Sequence, residues 1–567
     1  MASMKEPNKT RSTDVVVIGG GPAGSTAATM LARAGRQVVL FERERFPRDH
    51  IGESLLPASM PILEALGVMP AIQEAGFLKK WGATMVWGTS PEPWSWYFRE
   101  TNREYPHSYQ VWRPQFDRIL LENSRAAGVD VKEGHRVMEV VFERALAPGP
   151  PPAAAGEGSQ ALGRATGVRV AGPTGEESRW EARYIVDASG QEGVIGRALR
   201  LRETDEQFRN LALFAYFEGA QRLPEPDETN ILIESYEDGW TWVIPLHTGW
   251  MSVGFVMDSR KGQEVVAALG AEAAFTGQLE KTAKTAGMLR GARRVAGPTV
   301  IRDWSYVSTR VAGEGYVLAG DAACFIDPLF STGVHLALSA GVMAAALVTS
   351  ALKDPEIAEP AGRVYQDLYY QQYGLFRELA RLFYASNRTV DSYFWEARRI
   401  IGADESMVPR EAFIRAAAGQ PPKGYERVVL ERGVAPEGVL AGVREVEGER
   451  ARRTAEVEPL RGMSISELLS RVPVLAAGAQ VERKPVLGEG EFVWGQVISA
   501  PGRPDVPVSR PVAALVEAID GLRSVREIIE HTADAARASG SRPLLVGLPA
   551  LDPFTILYVD GIITELR

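Results

Sequence analysis

Cysteine is almost absent from this chain of 567 residues, in which Cys324 is the single example. No internal disulfide can form, and this composition suits a reducing cytoplasm. The N-terminus also lacks a basic segment followed by an apolar stretch, so no secretory signal is predicted. Basic residues are not in excess either: the net charge of -9 argues against a nucleic-acid partner, because phosphate binding requires a basic surface.

Long apolar runs are equally scarce. Residues 328–352 form a stretch without a charged side chain that approaches the length of a membrane span. The stretch is rich in Ala, Gly and Ser, contains His335 and begins with turn-forming residues. We therefore interpret it as a buried helix packed against a cofactor, and we expect no membrane partner.

A strand–helix–strand unit is predicted near the N-terminus. The β-branched run 14–18 leads into Gly19-x-Gly21-x-x-Gly24, and a second strand ends at Glu42. Backbone N–H groups of such a turn hold a pyrophosphate, and an acid at this distance bonds the adenosine ribose. The alternative is a glycine turn in some other α/β protein.

Two later segments make this dinucleotide-binding pattern more specific. One is a strand that ends in Asp187-x-x-Gly190, and the other is a strand that ends in Gly320-Asp321. In this order and spacing, the three motifs resemble the FAD-dependent aromatic hydroxylase superfamily. The resemblance implies that Asp321 bonds the ribityl chain of FAD. It also implies a cofactor contact by Arg113, for which a structural salt bridge with Asp117 is the alternative.

Three further matches resemble the flavin-dependent halogenases, over about residues 14–400. They are W-x-W-x-I-P at 240–245, F-x-x-P-x-x-S-x-G at 325–333, and K-x-G at 80–82. The segment 46–57 is similar to the branch of that family that acts on phenols and on carrier-bound substrates. The resemblance implies reduced FAD, O2 and chloride as reactants. It further implies that hypochlorous acid reaches Lys80 and chlorinates an electron-rich carbon there.

Each of these motifs also has a structural interpretation. Alternation on a strand places Trp240 and Trp242 on one face, where they either wall off the flavin or form a core aromatic pair. The segment 331–333 caps the next helix, whose N-terminus favours a small anion such as chloride, or caps it without an ion. Lys80 is either the active lysine or a solvated surface charge.

The resemblance implies a full set of site residues. We expect Lys80 and Glu53 to be catalytic, with Glu53 pairing with Lys80, and we expect chloride at Ser331, Thr332 and Gly333. Asp303 is a candidate for a covalent link to FAD, with a capping or surface role as its alternative. The expected cofactor contacts are Gly19, Gly21, Ala23, Gly24, Glu42, Arg43, Ser54, Arg113, Asp187, Gly320, Asp321, Pro328 and Gly333.

A second dinucleotide fingerprint, as a nicotinamide would need, is not visible in the sequence. A separate flavin reductase is therefore the expected source of reduced FAD. The substrate is expected to be a small molecule, free or tethered to an acyl or peptidyl carrier protein. The rival interpretations are an FAD monooxygenase or reductase of the same fold, and a flavin-binding protein that docks partners.

The chain is long enough for two or three domains. We predict an α/β protein in which a Rossmann-type FAD-binding domain is interleaved with a β-sheet substrate domain. The core spans 1–400, with FAD-binding segments at about 12–120, 165–200 and 300–350 and a substrate-side sheet at about 80–112 and 205–300. A helical and linker region at 401–505 and a winged-helix-like module at 506–567 are expected to follow.

Overall fold

The chain divides into two compact units. The first comprises Met1–Ile401 with Pro409–Pro421, and the second comprises Gly402–Val408 with Pro422–Arg567. The computed structural model describes residues 11–89, 91–144, 162–384, 408–419, 463–501, 505–538 and 561–567, together with Tyr393, Ala397, Phe554, Leu557 and Tyr558. The Pro-, Ala- and Gly-rich composition of 147–163 predicts a surface insertion between two strands, and nearly all of this segment lies outside the described residues.

The described part of the first unit alternates strands and helices along the chain. Its strands are β1 (Arg11–Ile18), β2 (Val38–Glu42), β3 (Leu78–Lys80), β4 (Gly82–Val86), β5 (Trp94–Tyr97), β6 (Ser108–Gln110), β7 (Asp130–Glu133), β8 (Arg136–Arg144), β9 (Leu162–Ala171), β10 (Glu177–Asp187), β11 (Arg202–Glu218), β12 (Ile231–Tyr236), β13 (Gly239–Pro245), β14 (Trp250–Asp258), β15 (Arg293–Ser308), β16 (Ala312–Gly313), β17 (Tyr316–Leu318) and β18 (Cys324–Phe325). Its helices are α1 (Pro22–Arg33), α2 (Met60–Ala65), α3 (Met69–Glu74), α4 (Arg113–Ala126), α5 (Val194–Ala198), α6 (Ser259–Leu279), α7 (Ala283–Met288), α8 (Gly333–Lys353), α9 (Ala358–Tyr384) and α10 (Pro409–Ala417).

The predicted strand–helix–strand unit forms the centre of a largely parallel sheet with strand order β16-β17-β10-β1-β2-β7. Strands β1, β2, β10 and β17 are parallel neighbours, and the β-branched residues of β1 are buried because helices cover the sheet. The motifs at 19–24, 187–190 and 320–321 therefore follow the carboxyl ends of adjacent strands. Ligands of open α/β sheets bind at this edge.

A second sheet has the order β18-β15-β11-β14-β13-β12-β4-β5. The sequence predicts strands of an antiparallel sheet at 210–218, 229–235 and 250–257. These segments overlap β11, β12 and β14, although β4 and β12 run parallel. The stretch 78–88 is predicted from its sequence to form one strand. It forms two, because β3 pairs with β6 in a separate ribbon while β4 joins the large sheet.

The uncharged stretch forms helix α8. Among the described residues, α8 is the one helix long and apolar enough to cross a membrane, and 94% of its most apolar window is buried inside the protein. A β-carbon on Gly341 would lie 2.6 Å from the carbonyl oxygen of Ala23, so small residues allow α8 to approach α1 closely. Burial in the first unit thus accounts for the composition of this helix.

The second unit has its own hydrophobic core. Its described elements are α11 (Ile465–Ser470), β19 (Pro473–Leu475), β20 (Gln480–Leu487), β21 (Phe492–Ser499), β22 (Val506–Val508), α12 (Arg510–Glu517), α13 (Val525–Ala538) and β23 (Ile563–Leu566). Residues 463–501 were expected in a helical and linker region, but they contribute strands. Ile498 packs in the same core as Leu515 and Ile528, so the unit extends to both sides of residue 506.

Candidate functional site

The glycine-rich turn between β1 and α1 uses its glycines in different ways. Gly19 has a φ of +97°, which a residue with a side chain rarely adopts. A β-carbon on Gly24 would lie 1.9 Å from the Gly19 carbonyl oxygen, so glycine is required for the helix to approach the strand. Gly21 has an ordinary φ, and a β-carbon there would meet only Arg48, at 3.3 Å. Gly19, Gly21 and Ala23 line a cavity of about 450 Å³.

Glu42, at the end of β2, closes one side of this cavity. Its carboxylate accepts hydrogen bonds from the backbone N–H groups of Gly20 and Glu44, both at 2.8 Å, and is therefore held rigidly. Arg43 also lines the cavity, but its half-exposed guanidinium pairs with Glu192 at 2.5 Å. The structure thus places both predicted residues at the cavity, with Glu42 buried and Arg43 at its mouth.

Asp187 does not line the cavity, contrary to the expectation that it contacts the cofactor. Its buried carboxylate accepts hydrogen bonds from the Ser189 hydroxyl at 2.6 Å and from the Ile195 N–H at 2.7 Å. These bonds shape the turn that follows β10, and the neighbouring residues Ala188 and Ser189 reach the cavity instead. The Asp-x-x-Gly motif therefore acts through the backbone of its turn.

The Gly-Asp motif lies beside the glycine turn. Gly320 has a φ of +63° and packs against Ala23, while the half-buried Asp321 lines the cavity. Burial raises the pKa of Asp321 to about 6, against the opposing influence of Arg113 and Arg202. A carboxyl group of this kind favours hydrogen bonds with neutral hydroxyl donors.

Arg113 combines the two roles that the sequence left open. Its guanidinium forms a bidentate ion pair with Asp117, at 2.8 and 2.9 Å, and its remaining nitrogen donates to the Ile51 carbonyl at 2.5 Å. Although burial opposes ionisation, Arg113 holds the pKa of Asp117 below its ordinary value. Arg113 also lines the cavity, so a salt bridge and a cavity contact coexist.

Glu53 faces the cavity but does not pair with Lys80, and this expectation from the sequence was wrong. The Glu53 carboxyl accepts hydrogen bonds from the Tyr216 hydroxyl at 2.8 Å and from the Gly52 N–H at 3.0 Å. Burial raises its pKa, so the group retains a proton more readily than an exposed glutamate. Ser54 lines the cavity beside it, and the buried Ser54 hydroxyl has no hydrogen-bond partner among the described residues.

Lys80 is buried, with 2% of its surface exposed, at the end of β3. Its Nζ atom donates a hydrogen bond to the Leu55 carbonyl at 3.1 Å and lies 5.5 Å from the centre of the Phe98 ring. Lys80 does not line the cavity. The segment Glu53–Leu55 separates the two, since Glu53 and Ser54 face the cavity while Leu55 contacts the lysine.

Burial lowers the pKa of Lys80 to about 7. In the unfolded chain the value stays near 10.5, so the cost of burying the ammonium is fully present below about pH 7 and is relieved as the pH rises toward 10.5. We expect Lys80→Met to raise the free energy of unfolding, since apolar replacement of buried charges often stabilises by about 1–4 kcal/mol. Denaturation experiments at pH 6 and pH 9.5 should show the larger increase in the free energy of unfolding at pH 6.

The exposed neighbour Lys79 provides the control for this measurement. Lys79→Met should change the free energy of unfolding little, and equally at both pH values. An equal gain for Lys80→Met at pH 6 and pH 9.5 would contradict a depressed pKa for Lys80.

Trp240 and Trp242 lie side by side on β13 with ring centres 6.1 Å apart, and both line the cavity. The Trp242 Nε1 donates to the Ser252 hydroxyl at 3.1 Å, and its ring covers Gly254, where a β-carbon would be 2.2 Å away. The Trp240 Nε1 donates to the Tyr384 hydroxyl at 2.5 Å. Both indoles are therefore fixed at a cavity wall, and they are also buried as a core pair would be.

The segment Ser331–Gly333 connects a short turn to α8. Ser331 has a φ of +58°, and Ser331 and Gly333 line the cavity together with Pro328. Thr332 occupies the N-cap position, but it makes no side-chain cap, contrary to the capping expected from the sequence. Its buried hydroxyl has no hydrogen-bond partner among the described residues. The first turn of a 21-residue helix thus meets the cavity beside an unpaired donor.

Asp303 lies on β15, where its backbone pairs with Asn210. Its side chain is outside the described part of the chain, so the covalent link stays a prediction.

Sequence reasoning missed residues that hydrogen-bond to the cavity-lining side chains and hold them in place. Tyr216 holds Glu53, and Tyr384 and Asp327 hold Trp240 in a hydrogen-bonded chain. Asp327 carried a signal, because it is the one acid within the motif 325–333. Tyr216 and Tyr384 carried none, since their partners are distant in sequence.

The fold and the cavity define a class of protein, an α/β protein built to bind FAD. The open Gly21, the rigid Glu42 carboxylate and the half-buried Asp321 could hold a pyrophosphate, a ribose and a ribityl chain, respectively. The adjacent tryptophan pair gives the cavity an aromatic wall at its far end.

Comparison with known proteins identifies the family. The FAD binding domain model matches residues 12–148, and the tryptophan halogenase model matches residues 156–431. A tryptophan 2-halogenase from Chondromyces crocatus is 36% identical over 69% of this chain and 71% of its own length. A 1H-pyrrole-2-carbonyl-[peptidyl-carrier protein] chlorinase from Pseudomonas fluorescens is 32% identical over 68% of this chain and 86% of its own length. The crystal structure of CmlS, a flavin-dependent halogenase, superposes with a TM-score of 0.65 at 26% identity, over 98% of this chain and 96% of the other.

This chain therefore belongs to the flavin-dependent halogenases, and it is an FAD-dependent enzyme. The α/β fold with an FAD-binding domain and a sheet-based substrate domain, inferred from the sequence, is confirmed. The winged-helix description of the second unit stays a prediction.

Proposed function

We propose that this halogenase holds chloride at the start of α8 and delivers hypochlorous acid to Lys80, where an electron-rich carbon is chlorinated. The observation that carries this proposal is a buried lysine with a pKa of about 7, separated from the cavity by the short segment Glu53–Leu55. Buried lysines of this kind are rare unless function requires them.

O2 would be the oxidant: it would take two electrons from bound reduced FAD and two from chloride, and with one proton it would yield hypochlorous acid and water. The residues of the chain control where that chemistry occurs. Ser331 and Gly333 line the cavity at the positive end of the α8 dipole, which favours a small anion, whereas Thr332 is buried outside the cavity lining. Trp240 and Trp242 would keep an organic substrate away from the flavin, which prevents hydroxylation.

The proton that the reaction needs would come from the Glu53 carboxyl. Glu53 lines the cavity, and burial raises the pKa of its carboxyl, so it gives up its proton less readily than an exposed glutamate. The Tyr216 hydroxyl and the Gly52 N–H fix its orientation. We assign Glu53 a proton-donating role inside the cavity, separate from Lys80.

A lysine with a pKa near 7 is available in both protonation states. As an ammonium it would donate a hydrogen bond to hypochlorous acid and polarise the chlorine toward the substrate carbon. As an amine it would react with hypochlorous acid to form an N–Cl bond and release water. The substrate carbon would then take the chlorine and lose a proton, which restores the amine.

The substrate class that we propose is an electron-rich aromatic, phenolic or heteroaromatic group, free or tethered to a carrier protein. The similarity to a relative named for a pyrrolyl carrier-protein substrate supports the tethered form. A separate flavin reductase would supply reduced FAD, and the cytoplasm is the proposed location.

The test is mass spectrometry of products from a reductase-coupled reaction with FAD, O2 and either chloride or bromide. Phenols, free pyrrole-2-carboxylate and pyrrolyl carrier protein would serve as substrates. We expect halogenated products that track the halide supplied. Hydroxylated products, formed equally without halide, would contradict the proposal and favour a monooxygenase.

A further inference from the structure

A chain of hydrogen bonds connects the tryptophan wall to the turn that precedes α8. Trp240 Nε1 donates to the Tyr384 hydroxyl at 2.5 Å, and that hydroxyl donates to Oδ2 of Asp327 at 2.6 Å. Asn210 Nδ2 donates to the same carboxylate oxygen at 2.8 Å. Trp240, Asp327 and Asn210 are buried and Tyr384 is half-buried, so little of the chain is open to water.

The other oxygen of Asp327 acts on the turn itself. Oδ1 accepts the Leu329 N–H at 3.0 Å and thereby caps the short helical turn Pro328–Phe330. This turn leads directly into Ser331, whose positive φ is held by the surrounding structure. One carboxylate therefore holds both the tryptophan wall, through Tyr384, and the start of the segment 331–333.

We propose that Asp327 and Tyr384 are positioning residues that keep Trp240 and the halide-binding segment 331–333 in one fixed arrangement. The inference rests on the proposed function, in which the wall and the segment act together. If the wall moves, hypochlorous acid would be lost before it reaches the substrate. If the segment 331–333 moves, hypochlorous acid would not form, and O2 would be reduced to hydrogen peroxide instead.

The chemistry of the network supports a positioning role. Burial raises the pKa of Asp327 to about 6, so the group is ionised at the pH of an ordinary assay. A buried carboxylate that accepts from a hydroxyl, an amide and a backbone N–H forms strong, directional bonds. Tyr384 lies on α9, so these bonds also attach that helix to the turn Pro328–Phe330.

Two variants test the proposal, one by removing the Tyr384 hydroxyl and the other by replacing the Asp327 carboxylate. Tyr384→Phe removes the hydroxyl that joins Trp240 to Asp327 and keeps the ring that packs on Phe208. Asp327→Asn keeps an oxygen for the Leu329 N–H, but it turns an amide toward the donors Asn210 and Tyr384. Tyr370→Phe is the matched control, since its hydroxyl on the same helix donates to the Ser308 carbonyl.

The first readout does not depend on bound cofactor or on turnover. In apo protein labelled with ¹⁵N-tryptophan, the indole signal of Trp240, assigned with Trp240→Phe, reports the hydrogen bond to Tyr384. We expect it to shift and to exchange with solvent about tenfold faster in Tyr384→Phe, in keeping with the loss of one hydrogen bond of about 1.4 kcal/mol. An unchanged signal would overturn the proposal.

The second readout is the ratio of halogenated product to hydrogen peroxide during turnover. We expect this ratio to fall about tenfold in Tyr384→Phe and Asp327→Asn, with the FAD content unchanged, and to stay at the wild-type value in Tyr370→Phe. In a Trp240→Phe background, Tyr384→Phe should have a smaller effect on the ratio than in the wild type, because the bond between the two side chains is already lost.

The two failures can be told apart. Wild-type protein that forms no halogenated product contradicts the proposed function, whatever the variants do. Wild-type protein that halogenates while Tyr384→Phe behaves like Tyr370→Phe contradicts the positioning role alone.

Discussion

Lys80→Met is expected to abolish halogenation while the reaction of reduced FAD with O2 continues. Methionine retains the length and packing of the buried side chain, but it removes the nitrogen that donates to the Leu55 carbonyl. Removal of a positioned acid–base group costs about 100-fold to 10,000-fold in rate, and we expect a loss of halogenated product in this range. Reductase-coupled turnover, with product and hydrogen peroxide measured together, checks the result.

Lys79→Met is the matched control for this prediction. The two lysines are adjacent, but the exposed Lys79 lies near Trp81 at the surface, whereas Lys80 is buried near Phe98. Lys79→Met should halogenate at the wild-type rate with the wild-type FAD content. Normal halogenation by Lys80→Met would mean that hypochlorous acid reaches the substrate without this lysine.

Gly21→Val is expected to remove FAD binding from a protein that still folds. A side chain on Gly21 points into the cavity and meets only Arg48 among the described protein atoms, but it occupies space that the pyrophosphate needs. We expect the FAD dissociation constant to rise at least about 100-fold, or roughly 2.8 kcal/mol. Titration of apo protein with FAD, together with thermal unfolding, measures both properties.

Substitutions at two further glycines serve as controls for the effect of Gly21→Val on FAD binding. Gly24→Ala should impair folding as well as FAD binding, because its β-carbon would lie 1.9 Å from the Gly19 carbonyl oxygen. Gly277→Val, on α6 and with open space around it, should leave FAD affinity unchanged. Wild-type affinity in Gly21→Val would place the pyrophosphate away from this turn.

Local motifs were predictable because their physical causes lie within a few residues. The run 14–18 and the glycines after it define a strand and a turn with no help from the rest of the chain. The alternation that places Trp240 and Trp242 on one face depends only on strand geometry. Helix α8 was recognisable from its uncharged composition, since residues that contact only protein need no charge.

Pairings between distant residues were not predictable in this way. Glu53 was expected to pair with Lys80, 27 positions away, yet it bonds Tyr216, a residue 163 positions along the chain. Asp187 was expected to contact the cofactor, but packing turns its carboxylate into its own loop. Such choices depend on how whole sheets pack, which no short pattern encodes.

The sequence by itself determined the chemistry of this protein: an FAD-binding α/β fold, and motifs that resemble those of the halogenases, with Lys80 among them. The tertiary structure alone decided the state of those residues. It buries Lys80 and lowers its pKa, gives Glu53 a partner other than Lys80, and joins Trp240 to Asp327 through Tyr384. The physical reason is that residue identity sets which bonds a side chain can make, whereas burial and long-range packing set which of those bonds form.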